Sequence, residues 1–135
     1  MATFLRMNGQ DVYKFAVTNM TADLKFVIEE AGLTCEQVDF VLPHQANIRI
    51  IEAAAHRLSI PREKYVVNIE RYGNTSSASI PMMLDELNRQ GTLKKGDILA
   101  MSAFEMCIRD SLWSIHWGFF IPMRTCSTSR RKTSA

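Results

Sequence analysis

The first apolar pattern of the chain is helical. Between Val12 and Ala31 hydrophobic residues recur every three or four positions, which predicts one long amphipathic helix with a possible break at 19–21. The periodic positions are Val12, Phe15, Ala16, Met20, Leu24, Val27, Ile28 and Ala31. Gly32 follows them and suits the residue just past a helix end, because glycine readily adopts a left-handed backbone.

Short apolar runs at 38–42, 65–68 and 97–104 predict strands, because turn residues bound each of them. Helical spacing recurs between these runs, and the apolar positions of the two helices are Ile48, Ile51, Ala55 and Leu58, and then Ile80, Met83, Leu84 and Leu87. Asn47 opens the first of these helices and Gly91 ends the second. The order of elements predicts an α/β fold with mainly crossover connections and helices packed on a sheet.

Residues 105–135 differ in character from the rest of the chain. Residues 1–104 hold 11 basic and 12 acidic side chains, a balance of −1, whereas residues 105–135 hold 5 and 2, a balance of +3. This final segment lacks periodicity and ends in a polar, basic run, which is typical of a disordered tail. A membrane-surface role for residues 112–121 is an alternative, although basic helical patterning does not support it.

Composition narrows the class of protein. The 135 residues are 47% hydrophobic and 22% charged, as in a soluble globular domain. No apolar run reaches the roughly 20 residues that span a bilayer, and the first residues lack a signal core. Three cysteines without metal-ligand spacing favour a reducing cytoplasm and no metal site. Nucleic-acid binding is not favoured, because residues 1–104 are not basic.

Two polar side chains stand at predicted strand-to-helix turns. His44 directly follows an apolar strand, and Asn74 follows Gly73 30 residues later. Such turns at one edge of an α/β sheet commonly build a site. The alternative is structural, because histidines after strands are often structural and asparagine after glycine is often a turn or capping residue.

Residues 1–104 resemble the C-terminal half of β-ketoacyl-acyl-carrier-protein synthase III, a condensing enzyme of the thiolase superfamily that starts bacterial-type fatty acid synthesis. The resemblance rests on residues 6–17 (RMNGQDVYKFAV), 41–47 (VLPHQAN), 71–81 (RYGNTSSASIP) and 96–99 (GDIL). It implies half of a thiolase-like fold, a mixed sheet covered by helices, without the N-terminal half or the family's final strand. Residues 105–135 match nothing in the family and are expected to be disordered or non-native.

The family's reaction assigns roles to the two turns. A cysteine thiolate takes an acyl group from acyl-CoA, and malonyl-acyl carrier protein then loses carbon dioxide and attacks the acyl-enzyme. By resemblance, His44 and Asn74 donate hydrogen bonds to the thioester oxygen on which negative charge develops. Cys35, Cys107 and Cys126 match no nucleophile of the family. The chain alone is therefore expected to be inactive, and the resemblance implies no cofactor besides the two substrates.

The resemblance also assigns substrate and partner contacts. Phe104 shapes the site, Gly9 and Asn47 hold the pantetheine arm, and the acyl carrier protein docks on Lys14, Arg49, His56 and Arg57. Each assignment has a plainer alternative: a core aromatic residue, a helix cap or solvated surface charges. The other implied partners are the missing half of the enzyme and, for the full-length parent, a second copy in a homodimer.

Two other functions remain as alternatives. If the chain functions without the missing half, it is a non-catalytic module for carrier-protein binding or dimerisation. A serine hydrolase using Ser76 or Ser77 is less favoured, because the chain has no Gly-x-Ser-x-Gly elbow. A half of the fold by itself is expected to expose a large apolar patch and to aggregate.

Overall fold

The computed structural model describes residues 8–103 and the backbone of a strand at 117–122. Its helices and strands, in chain order, are α1 (Gly9–Glu30), β1 (Phe40–Pro43), α2 (Ile48–Leu58), α3 (Ile69–Tyr72), α4 (Ser79–Arg89), β2 (Ile98–Ala103) and β3 (Trp117–Pro122). Short 3₁₀ turns occupy Cys35–Gln37, Arg62–Lys64 and Ser76–Ala78. The helices and the small sheet confirm the predicted α/β class, although three helices in succession separate β1 from β2.

Helix α1 is continuous through 19–21, so the predicted helix is confirmed without the possible break. The Asn19 amide donates to the Phe15 carbonyl at 2.8 Å, and the Thr21 hydroxyl donates to the Val17 carbonyl at 2.7 Å. These polar side chains therefore bond to carbonyls of the preceding turn of their own helix, and neither ends it.

The predicted end of α1 at Gly32 is confirmed. Gly32 has a φ of +70°, and its N–H donates to the Glu29 carbonyl at 2.9 Å. The Leu33 N–H donates to the Ile28 carbonyl at 3.0 Å. This pair of bonds satisfies two of the last carbonyls of the helix and turns the chain toward β1.

The sheet is mixed, with the order β1-β2-β3. Strands β1 and β2 are parallel, in a register that runs from Phe40 opposite Leu99 to Pro43 opposite Ser102. Strands β2 and β3 are antiparallel. The carboxyl ends of the two parallel strands therefore lie side by side, directly before His44.

The structure places one strand in the final segment. Residues 117–122 form an edge strand, β3, that pairs with β2 and was not predicted from the sequence. The run WGFFIP is rich in the aromatic and β-branched residues that favour strands, and it pairs with an edge of β2 that β1 leaves open. The run lacks period-two alternation, and this is why the pattern did not reveal it. Residues 104–116 and 123–135 lie outside the described residues.

The predicted strand at 65–68 is reduced to a single bridge. Tyr65 pairs in parallel with Val41, and the Val66 N–H donates to the Val41 carbonyl at 2.9 Å. Beyond that point the backbone bonds to a side chain, that of Gln45, and α3 begins at Ile69. Tyr65 is buried and Val66 and Val67 are half-buried, but the backbone partners of this run are not those of a strand.

Helices cover both faces of the sheet. On one face α1 and α2 pack with Val38, Val41 and Ala100 in one apolar cluster. On the other face α4 packs through Met83 and Leu87 on a second cluster. The members of this second cluster from the strands are Leu42, Leu99 and Met101, with Phe40 at its edge.

The buried faces of the helices largely follow the predicted periodicity. The fully buried residues of α1 are Ala16, Val17, Met20, Leu24 and Ile28, whereas Phe15 is 40% exposed. The buried face of α4 begins at Ser79, one residue before the first predicted position, Ile80. No helix within residues 8–103 is long and apolar enough to cross a membrane.

A buried glutamine, Gln45, joins the end of β1 to the segment that follows the bridge. Its amide nitrogen donates to the carbonyls of Pro43 at 3.0 Å and Val66 at 3.3 Å. Its side-chain oxygen accepts from the N–H groups of Asn68 at 3.1 Å and Ile69 at 3.2 Å. The side chain is fully buried and uses both its donors and its acceptor, so it replaces the missing strand ladder.

We predict that Gln45→Ala lowers the free energy of unfolding by about 2–4 kcal/mol, because it leaves buried N–H and C=O groups unpaired. Gln45→Glu is expected to be similarly harmful, because a carboxylate cannot donate to the two carbonyls. Urea denaturation followed by circular dichroism measures the loss. Gln90→Ala, an exposed glutamine at the end of α4, is the matched control. A loss below about 0.5 kcal/mol for Gln45→Ala would contradict the assigned role.

Candidate active site

His44 lies at the carboxyl end of β1, directly beside the end of β2. Its backbone N–H donates to the Ser102 carbonyl at 2.8 Å, which continues the parallel register by one bond. Its side chain is buried, and Nδ1 lies 3.3 Å from the hydroxyl of Ser79, the first residue of α4. The imidazole is therefore held between the sheet edge and the start of α4.

Asn74 lies in an exposed turn between α3 and α4. Gly73 precedes it with a φ of +68°, a left-handed conformation that favours glycine. The Asn74 side-chain oxygen accepts from the Ser76 N–H at 3.0 Å. The amide nitrogen, with its two N–H donors, is not used by this bond.

The two turns meet at Ser79. Besides its contact with His44, the Ser79 hydroxyl lies 2.9 Å from the Ser76 carbonyl oxygen and 3.1 Å from the Thr75 hydroxyl. Thr75 directly follows Asn74 in the chain. A short series of hydrogen-bond contacts thus connects the histidine loop to the asparagine turn, although Asn74 follows α3 rather than the predicted strand.

Glu86 holds the base of the asparagine turn against α4. Its carboxylate accepts from the Asn68 amide at 3.2 Å, from Arg71 at 2.9 Å and from the Tyr72 hydroxyl at 2.9 Å. Burial raises the pKa of Glu86, but the hydrogen bonds from Asn68 and Tyr72 and the charge of Arg71 outweigh it, so the pKa is lowered overall. The same carboxylate raises the pKa of Tyr72 through their hydrogen bond. The group formed by Glu86 with Asn68, Arg71 and Tyr72 is called the Glu86 clamp below.

The residues predicted to hold the pantetheine arm lie at helix starts. Asn47 caps α2, its side-chain oxygen accepting from the Arg49 N–H at 2.9 Å. Gly9 is the first residue of α1 and is exposed. The plainer role of Asn47 as a cap is therefore confirmed, while contact with substrate remains a prediction for both residues. Phe104 lies outside the described residues.

The predicted docking residues all lie on exposed surfaces of α1 and α2. They are Lys14, Arg49, His56 and Arg57. The Tyr13 hydroxyl, beside Lys14, donates to the Arg49 carbonyl at 3.5 Å and so joins the start of α1 to the start of α2. No group of three His, Cys, Asp or Glu residues within the described part of the chain is placed to hold a metal ion.

Sequence reasoning missed three residues that build this site: Gln45, Ser79 and Glu86. Ser79 precedes Met83 and Leu87 by one and two helical turns, so helical periodicity contained the signal for its burial. Gln45 and Glu86 gave no such signal, because their partners are backbone and side-chain groups distant in the sequence.

We predict that Glu86→Ala loosens the asparagine turn. At neutral pH, amide exchange at Gly73, whose N–H donates to the Ile69 carbonyl at 2.7 Å, is expected to rise by roughly tenfold. Hydrogen exchange followed by NMR measures this rate. Asp85→Ala is the control, because Asp85 pairs with Arg89 of its own helix.

The same interaction has a pH dependence. A carboxyl group whose pKa is lowered by folding stabilises the protein above its ordinary value of about 4.3, and that stabilisation is lost as the pH falls through the lower folded value. The difference in Gly73 amide exchange between the protein and its Glu86→Ala variant should therefore shrink as the pH falls below about 4. A difference in exchange that is unchanged down to about pH 2 would show that the Glu86 charge has no part in it.

Comparison with known proteins gives consistent matches. The family model described as the C terminal of 3-oxoacyl-[acyl-carrier-protein (ACP)] synthase III matches residues 28–107. The β-ketoacyl-[acyl-carrier-protein] synthase III of Clostridium acetobutylicum is 48% identical over 100 residues, 74% of this chain and 31% of that protein. Its counterpart from Aquifex aeolicus is 49% identical over 100 residues, 74% of this chain and 32% of that protein.

Solved structures agree with the sequence matches. The match to the crystal structure of the synthase III from Aquifex aeolicus covers 75% of this chain and 33% of that chain, with a TM-score of 0.71 and 48% sequence identity. That from Pseudomonas aeruginosa covers 89% of this chain and 38% of its own length, at a TM-score of 0.74 and 33% identity. The chain thus spans about a third of the length of these relatives. It belongs to the β-ketoacyl-acyl-carrier-protein synthase III family of thiolase-like condensing enzymes and corresponds to their C-terminal region.

Proposed function

We propose that this chain supplies the decarboxylation donors, His44 and Asn74, of an enzyme that condenses acyl-CoA with malonyl-acyl carrier protein. One observation carries the proposal: Ser79 joins the buried His44 imidazole to the turn that holds Asn74, at the carboxyl ends of parallel strands. Sites of α/β proteins lie at this end of the sheet.

Decarboxylation of a malonyl thioester moves an electron pair from the breaking C–C bond toward the thioester oxygen. Neutral N–H donors aimed at that oxygen stabilise the enolate that forms, and each is worth roughly 2.7–4 kcal/mol in comparable sites. The His44 ring and the Asn74 amide both carry suitable N–H groups. Both are attached to short, hydrogen-bonded turns, so little rearrangement accompanies the reaction.

The nucleophilic cysteine of the proposed reaction lies in the part of the family sequence that this chain does not span. Cys35 does not fit the role, because it packs against the α1/α2 cluster on one face of the sheet. The His44 side chain contacts α4, which covers the opposite face. We therefore expect the chain alone to lack condensing activity. The proposed reaction uses two thioester substrates, acyl-CoA and malonyl-acyl carrier protein, and no further cofactor.

We predict the effect of each donor in a chimera, in which this chain's residues replace the matching third of the Aquifex aeolicus synthase III. His44→Ala and Asn74→Ala should each lower kcat for malonyl decarboxylation by about 10²–10³, because one donor is lost. Release of carbon dioxide from malonyl-acyl carrier protein is the measurement. Asn88→Ala, an exposed asparagine of α4, serves as control. A folded chimera that decarboxylates at an unchanged rate without His44 would refute the proposal.

A second function, carrier-protein binding without catalysis, is favoured by the docking residues. Lys14 on α1 and Arg49, His56 and Arg57 on α2 are all exposed, and the ion pairs found within residues 8–103 lie elsewhere. We propose that an acidic acyl carrier protein binds this surface. Complementary charge of this kind mainly speeds encounter and sets orientation, so the role is compatible with the catalytic proposal.

We predict that the double substitution Arg49→Glu and Arg57→Glu weakens binding of acyl carrier protein at least tenfold at low salt. The difference in Kd between the double variant and the unaltered chain should shrink at about 0.5 M salt, because charges more than a few ångströms apart are then screened. Calorimetric titration gives the Kd. Arg89→Glu with Lys95→Glu changes the charge equally at α4 and the loop after it, and should bind like the unaltered chain. Equal weakening by both pairs would show that net charge alone decides binding.

A further inference from the structure

The Ser79 hydroxyl has more neighbours than it has protons. It lies 3.3 Å from His44 Nδ1, 3.1 Å from the Thr75 hydroxyl and 2.9 Å from the Ser76 carbonyl. A serine hydroxyl offers one proton and two lone pairs, so only one of these neighbours receives its hydrogen. The side chain is 1% exposed, which makes the choice among these neighbours important for the free energy of the site.

The destination of that proton bears directly on the tautomer of His44, because Ser79 contacts Nδ1. If it goes to the Ser76 carbonyl, the contact with His44 requires a hydrogen on Nδ1, and a neutral ring then has no hydrogen on Nε2. If it goes to His44 Nδ1, the ring hydrogen is on Nε2. Only the second state makes Nε2 a donor.

Two features favour the second state. The Ser76 carbonyl already accepts the backbone N–H of Ser79, so it is not left unpaired when the hydroxyl turns away. The Thr75 hydroxyl, 3.1 Å away, is placed to donate to Ser79 Oγ, and a hydroxyl that accepts such a bond becomes a better donor.

We propose that Ser79 is a positioning residue that donates to His44 Nδ1 and holds the imidazole as the tautomer with its hydrogen on Nε2. Its value for the reaction rests on the proposed function, in which Nε2–H faces the thioester oxygen. The tautomer itself is a property of this chain and is measurable without substrate or the remainder of the enzyme.

The test is NMR of the full chain labelled with ¹⁵N-histidine, at about pH 8.5, where a histidine of ordinary pKa near 6.5 is neutral. Correlations between ring carbon-bound protons and both nitrogens distinguish the two tautomers. In the unaltered chain His44 is expected as the Nε2–H form. Ser79→Ala should lower the ratio of Nε2–H to Nδ1–H about tenfold, and Ser79→Thr, which keeps the hydroxyl, should restore it.

Ser77→Ala, in the same turn but exposed, is the matched control and should leave the ratio unchanged. A His44 that carries its hydrogen on Nδ1 in the unaltered chain overturns the inference, even where Ser79→Ala fails to fold. A ratio that Ser79→Ala does not alter overturns it as well.

Activity separates this inference from the proposed function. In the chimera, Ser79→Ala is expected to lower kcat about tenfold with KM unchanged, since it alters the donor and not the binding surface. If His44→Ala leaves decarboxylation intact, the proposed function fails while the tautomer result stands. If His44→Ala is damaging but Ser79→Ala changes neither the tautomer nor kcat, the proposed function stands and the inference about Ser79 fails.

Discussion

The architecture of the site depends on the buried amide of Gln45. Within the described residues, β1 pairs with β2 on one side, and on its other side the chain forms no ladder beyond the single bridge at Tyr65. Gln45 supplies the missing donors and acceptor, which join the end of β1 to the start of α3. The direct neighbour of Gln45 is His44. The bonds that close the sheet edge therefore also fix where the histidine loop begins.

From this edge, two further polar contacts set the position of the asparagine turn. The Glu86 clamp holds α3 against α4, and Ser79 holds the residues after Asn74 against His44. Each contact joins segments far apart in sequence, and each lies on or beside α4. The apolar face of α4 packs on the sheet through Met83 and Leu87, so one helix carries the packing of this layer and both contacts.

Sequence patterns predicted the apolar framework because it is local and periodic. Helices α1, α2 and α4 and strands β1 and β2 all follow from spacing, and the glycine end of α1 from the conformational freedom of Gly32. The patterns failed where side chains pair across long separations, as at 65–68, where Gln45 replaces a ladder. They also failed at β3, whose only clue was composition. His44 was singled out by its place after β1, whereas Asn74 follows α3 and not a strand, and the residues that contact both turns were not predicted.

The distribution of these contacts bears on how the proposed donors would act. The contacts described for His44 and Asn74 come from within residues 44–102, so this region itself contributes to their arrangement. Catalysis by hydrogen-bond donors depends on such prior order, because donors that must be ordered during the reaction lose much of their benefit. A nucleophile, in contrast, changes bonding partners during each turnover. A division in which one region fixes the donors and another supplies the thiolate lets the donors be held rigidly without restricting the group that must react.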